Sequence, residues 1–231
     1  MTTTTADRAA ASTHRDDRRR AAALPERRAR EFLAGRGLLR QLLAAVRPGP
    51  AGAEIVPDRR GKPWLRGHPD LGISVSHSRG TLAAGVALGR AVGVDVQRPD
   101  PAVRASFARR LLGTHAGRLT ALPPAAAAEE VAWVWTAQEA CAKADGAGLA
   151  GRPWAIDVPP GARSGRWRSY RWLSLRDHSS TPLSCAFAMA ANPLGPPAGT
   201  PGPPAGTPGP AAGTSDTPAP TPRPTPWKGA R

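Results

Sequence analysis

Trp135-Thr-Ala-Gln-Glu139-Ala-Cys-Ala-Lys143, closed by Ala144-Asp145-Gly146, is the stretch from which the rest of this chain can be read. It lies in a run from Glu129 to Lys143 that lacks Gly and Pro and is rich in Ala, which predicts a helix. At about 3.6 residues per turn, Trp135, Glu139 and Lys143 share one face. Gly146 supplies a C-terminal stop. A carboxylate and an amine one turn apart usually form only a weak surface pair, worth ~0.2–0.5 kcal/mol. Such a pair acquires chemistry only where a second acidic element meets it.

Two upstream segments offer that element. Leu71-Gly-Ile-Ser-Val-Ser-His-Ser78 alternates strictly, with Ile73, Val75 and His77 on one face and Ser74, Ser76 and Ser78 on the other. Thr81 to Leu88 reads as a second strand after an Arg79-Gly80 turn, and Val92-Gly-Val-Asp-Val-Gln97 as a third. Short connections predict an antiparallel meander of all three. The valines of the third point one way, which puts Asp95 and Gln97 together on the other face. With Glu139 they make three oxygen donors, a set suited to a hard cation such as Mg²⁺ that keeps positions free for water and phosphate. Lys143, one turn beyond Glu139, is spaced to meet a phosphate oxygen.

Around this centre, Leu24 to Val46 predicts an amphipathic helix with Arg28, Arg30, Arg36 and Arg40 interleaved among its apolar residues. Gly61-Lys62-Pro63 marks an extended or turning segment. Val103–Leu112 and Ala116–Leu122 read as helices, and Trp154–Val158, Trp167–Leu175 and Ser184–Ala190 as β-prone runs. Residues 1–23 show no periodicity and read as a mobile basic tail. From residue 192 to 231 Pro, Gly and Thr dominate, which predicts a disordered tail without chemistry.

The chain of 231 residues carries 32 Lys and Arg against 17 Asp and Glu, a net charge of +15 that favours anionic partners. Cys141 and Cys185 form no close-spaced pair, which argues against a disulfide framework or zinc site and fits a cytoplasmic protein. No run approaches the ~18 apolar residues of a membrane span. The N-terminus lacks a signal core, so neither a membrane partner nor secretion is expected.

In order, Gly61-Lys62-Pro63, Ile73-Ser-Val-Ser76-His77-Ser78, Gly93-Val-Asp95-Val-Gln97 and Trp135-Thr-Ala-Gln-Glu139-Ala-Cys-Ala-Lys143 resemble the Sfp-type 4′-phosphopantetheinyl transferases. The resemblance runs from about Leu24 to Ala190. It implies an α+β fold of two similar α/β subdomains, each a small antiparallel sheet packed with helices, over residues 24–99 and 100–191. The implied reaction moves the phosphopantetheine arm of coenzyme A to a serine of an acidic apo acyl or peptidyl carrier protein, with Mg²⁺, leaving 3′,5′-ADP. Asp95, Gln97 and Glu139 would approach the metal. Glu139 would also serve as base and Lys143 would steady phosphate charge. Ser76 and His77 would contact the nucleotide's phosphates, Lys62 and Pro63 would lie beside the adenine, and Arg30, Arg36 and Arg40 would hold phosphate. A monomer is expected.

Three positions depart from the family pattern. Gln97 stands where Glu is usual, Gln138 where Lys is frequent, and no apolar strand is visible ahead of the first helix. A degenerate homologue with the same fold is therefore an alternative. A basic nucleic-acid-binding protein is another, but it gives no reason for Asp95 and Glu139 to fall where they do, and nucleic acid is not the expected partner.

Overall fold

The computed structural model describes residues 1–190. The Pro-rich segment expected to be disordered lies outside the described residues. The fold is α+β, and it is assembled from two helix-on-sheet layers.

In the first layer, helix α2 (Glu26–Val46) packs on a three-stranded antiparallel sheet. Counting strands along the chain, the sheet order is β1 (Thr2–Thr5), β5 (Thr81–Leu88), β4 (Leu71–Ser78). Ala34, Leu38, Leu39 and Leu43 recur on one side of α2 and meet Ile73, Leu82 and Ala84 in a single buried cluster. The β4–β5 hairpin turns through Arg79 (φ 45°) and Gly80 (φ 82°), two left-handed residues as a two-residue hairpin turn of the primed kind requires. A separate short hairpin joins β2 (Ile55–Pro57) to β3 (Pro63–Leu65).

Residues 1–23, expected as a mobile tail, are instead ordered into β1 and helix α1 (Arg15–Ala21). Four threonines carry no hydrophobic signal, yet β-branched Thr fits a pleated edge, and β1 pairs antiparallel with Thr81–Ala84. The next residues cross α2 at Gly37, where a Cβ would sit 1.8 Å from the Ala10 carbonyl oxygen, and Ser12 N–H donates to Leu33 O at 2.9 Å. The strand that seemed absent from the sequence is thus a polar one.

In the second layer, helix α4 (Pro124–Asp145) lies on a four-stranded antiparallel sheet. Its order is β6 (Val92–Val96), β9 (Leu183–Ala188), β8 (Tyr170–Ser174), β7 (Ser164–Trp167). The meander expected over 71–97 therefore ends at β5, because β6 hydrogen-bonds to β9. The other edge of β6 is met by serine hydroxyls of β4. Ser74 Oγ accepts from Val94 N–H at 3.0 Å, Ser76 Oγ from Val96 N–H at 3.3 Å, and Ser78 Oγ from Arg98 N–H at 3.0 Å. Side chains here satisfy donors that a neighbouring strand's carbonyls would otherwise take.

Helix α4 is buried on nearly every side, between this sheet and helix α3 (Ala105–Leu112) with the turns that follow. Gln138 is fully buried and donates to both Leu111 O (2.9 Å) and Ile156 O (2.8 Å), tying those turns to the helix. Gly146, in the left-handed conformation (φ 76°), ends α4 as expected. The helix expected over 116–122 is a 3₁₀ segment at Gly113–Leu119, and the run 154–158 begins in a 3₁₀ turn at Pro153–Ala155 rather than a strand. The run 167–175 covers only the last residue of β7, the turn through Arg168 at φ 53°, and β8. Among the described residues no helix is long and apolar enough to cross a membrane.

Gly93 sets the approach of β6 to α4. A Cβ there would lie 2.0 Å from Ala140 O and 2.5 Å from Ala144 N, backbone atoms that cannot swing aside. Gly93→Ala is expected to lower the thermal midpoint by ~5–10 °C, the cost of overpacking at a rigid contact, as read by circular dichroism.

Candidate active site

The close approach at Gly93 brings Asp95 of β6 against the last turns of α4. Asp95 Oδ1 accepts from Lys143 Nζ at 2.6 Å and from Ser76 Oγ at 2.7 Å, and Lys143 Nζ also donates to Val94 O at 3.2 Å. Asp95 is 5% exposed. Glu139 joins the cluster through its charge: burial first, then the neighbouring Asp95 carboxylate, push its carboxyl up to about 7, against the opposing pull of Lys143. Its Oε1 is buried and has no hydrogen-bond partner among the described residues. Two carboxylates thus face one ammonium, and one buried oxygen awaits a partner.

That imbalance fits a hard divalent cation. No group of three or more His, Cys, Asp or Glu side chains is gathered for a metal among the described residues. A cation held here would take Asp95 and Glu139 and would draw its remaining ligands from water and substrate, as Mg²⁺ commonly does. Gln97 is turned elsewhere, its Nε2 donating to Arg98 O at 3.0 Å, and no polar contact joins it to either carboxylate.

A cleft of about 320 Å³ opens between the start of α2 and the end of β4, lined by Val75 and His77 on either side of Ser76. Its lining includes Arg28, Glu31, Phe32, Arg36, Pro63 and His77. The alternation of β4 separates adjacent residues: His77 faces the cleft and lies 4.0 Å from Glu31, while buried Ser76 faces β6. The same division occurs at the β2–β3 turn. Gly61 and Pro63 line the cleft, and Lys62 reaches the other way to donate to Ala144 O at the C-terminal end of α4. Burial pushes the Lys62 amine down to about 8, although Asp58 and Asp145 oppose it. A cation at that position meets the unpaired carbonyls and negative dipole end of the helix.

Several residues expected at phosphate are engaged inside the protein. Ser76 donates to Asp95 and accepts from Val96 N–H, which makes it a support for the carboxylate. Arg40 donates to Asp17 (2.7 Å), Ala51 O (2.7 Å) and Ala53 O (3.0 Å), which makes it a brace between α1, α2 and the turn after α2. Arg30 projects into solvent, 3.9 Å from Glu26. Arg36 does line the cleft. Sequence reasoning missed Arg28 and Phe32 as lining, although Arg28, Phe32, Gly35 and Arg36 follow helical spacing along one face, and it missed Glu31, an acid among cations.

Residues 91–188 match the family model of the 4′-phosphopantetheinyl transferase superfamily. The match begins at β6 and ends at β9, so it includes Asp95, Glu139 and Lys143. The chain is also similar to the L-aminoadipate-semialdehyde dehydrogenase-phosphopantetheinyl transferase of Eremothecium gossypii, 37% identical over 141 residues, which cover 56% of this chain and 50% of that protein. The chain spans about half the length of this curated relative. The stretch that carries the carboxylate–lysine cluster is thus similar to the 4′-phosphopantetheinyl transferase superfamily over residues 91–188.

Proposed function

We propose that this protein transfers the 4′-phosphopantetheine arm of coenzyme A to a serine of an apo acyl or peptidyl carrier protein, releasing 3′,5′-ADP. The observation that carries the reading is the cluster of Asp95, Glu139 and Lys143 with its unpartnered buried carboxylate oxygen, and a cleft lined by Arg28 and Arg36 supports it. Bound Mg²⁺, held by Asp95 and Glu139 with water and substrate in the remaining positions, would neutralise charge on the pyrophosphate.

The chain's own groups supply the rest. The carrier serine hydroxyl attacks the phosphorus that bears the pantetheine arm; a P–O bond forms there while the P–O bond to 3′,5′-ADP breaks. The hydroxyl proton passes to Glu139, directly or through water. Lys143 holds Asp95 in the free protein and can turn to phosphate oxygens as charge develops. Arg36 and Arg28 face the anionic nucleotide. The net charge of +15 favours encounter with an acidic carrier over a neutral one.

Incubation of an apo carrier protein with coenzyme A and Mg²⁺ is expected to add one phosphopantetheine mass by mass spectrometry. Asp95→Ala and Glu139→Ala are each expected to slow this gain at least about a hundredfold. Wild-type protein that stays folded and modifies no carrier would overturn the assignment.

Glu139 also predicts a pH signature without turnover. Its carboxyl titrates near 7 in the fold against an ordinary value of 4.5. The folded state therefore binds this proton more tightly, and the associated stability is full below about 4.5 and is lost as pH rises through about 7. Metal-free wild type should lose thermal midpoint over that window, and Glu139→Gln should flatten the loss. Added Mg²⁺ should raise the midpoint more at pH 8 than at pH 6, because the cation selects the ionised carboxylate.

A further inference from the structure

Asp17 of α1 is a fully buried carboxylate outside the cluster described above. Its Oδ2 accepts from Ser12 Oγ and from Arg40 Nε, both at 2.7 Å. Its Oδ1 accepts no hydrogen bond and lies 3.8 Å from Arg36 Nε. Burial opposes ionisation of Asp17, yet the hydrogen bonds from Arg40 and Ser12 and the charges of Arg40 and Arg36 hold its carboxyl below the ordinary range.

One carboxylate therefore serves two partly buried guanidiniums, and it serves them unequally. Arg40 takes the close oxygen and two backbone carbonyls. Arg36 makes no hydrogen bond among the described residues; its Nη1 is buried without an acceptor, and its guanidinium lies over the Phe32 ring at 5.0 Å. Burial, with the like charges of Arg20 and Arg40, pushes Arg36 down to about 10 against the pull of Asp17. A buried charge left short of partners is costly unless an anion completes it. Arg36 lines the cleft, so the missing anion can arrive there.

We propose that Asp17 is a positioning residue for anion binding: by holding Arg36 in its field while its hydrogen-bonding capacity goes to Arg40 and Ser12, it keeps the Arg36 guanidinium available for a phosphate group of the nucleotide substrate. The inference rests on the coenzyme A reading given above. The N-terminal helix is then part of the substrate site, although Asp17 itself touches no substrate. If Asp17 served only to neutralise Arg40, its removal would cost stability but would act on ligand affinity independently of Arg36.

Coenzyme A binding to the full chain, measured by calorimetry beside thermal unfolding, separates the two roles. Asp17→Asn is expected to weaken coenzyme A affinity about tenfold, the size of one charge-assisted hydrogen bond, and Asp17→Glu to restore part of it. In an Arg36→Ala background, Asp17→Asn is expected to add less than about a twofold further loss. Equal losses in both backgrounds, or unchanged affinity in a folded Asp17→Asn protein, would overturn the proposal. Should Asp17→Asn not fold, Ser12→Ala, which removes one donor from the same carboxylate, is compared in the same two backgrounds. A loss confined to the background that retains Arg36 supports the proposal, and an equal loss or none overturns it. Wild-type protein that binds no coenzyme A would overturn the transferase reading and this inference with it, whereas insensitivity to Asp17 in a protein that binds coenzyme A overturns this inference alone.

Discussion

Strand β6 belongs to one sheet by its backbone and to the other by its edge. Its pairing with β9 uses one set of N–H groups, and the serines of β4 accept the alternate set. On the remaining side Gly93 lets the backbone of α4 come into direct contact. These three demands on five residues leave almost no freedom in where Asp95 points. The carboxylate is carried by a strand fixed on two edges and one face, which is why it can meet Lys143 at 2.6 Å without a loop to guide it. Ser76 does both jobs at once, accepting from Val96 N–H and donating to Asp95, so the seam between the layers and the support of the site are one network.

Electrostatic incompleteness takes opposite signs in two regions of the protein. Around Asp95 and Glu139, two carboxylates share one lysine, and the deficit is positive charge. Around Asp17, two arginines share one carboxylate, and the deficit is negative charge. A divalent cation would offset the first deficit and a phosphate group the second. Neither region would be a stable design by itself, since each leaves a buried polar atom without a partner.

Much of the architecture around the site was legible because it is local. The helix through Glu139 and Lys143, its stop at Gly146, the bounds of β4 and β5, and the opposite faces of Ile73 and Ser74 all follow from periodicity and turn chemistry. What escaped is non-local or polar. The partner of β6 lies some ninety positions later in the chain, beyond any pattern within the strand itself. Strand β1 is four threonines, whose fitness for a sheet edge shows only once β5 is there to pair with. Arg36 and Arg40 sit one turn apart on the same helix and look alike in the sequence. Asp17 distinguishes them, and its burial depends on the crossing at Gly37.

The serine seam has a consequence for motion. A backbone ladder can slip by tilting its hydrogen bonds, but hydroxyls on alternate residues of β4 make the alignment against β6 discrete. A shift by one residue would present Val75 and His77, which have no hydroxyl, to the N–H groups of Val94 and Val96. The next equivalent alignment is two residues away, a translation of roughly 6.6–6.8 Å. Small shear between the layers is therefore resisted, and adjustment to a ligand falls to side chains at the cleft and to the β2–β3 hairpin, which reaches α4 through Lys62.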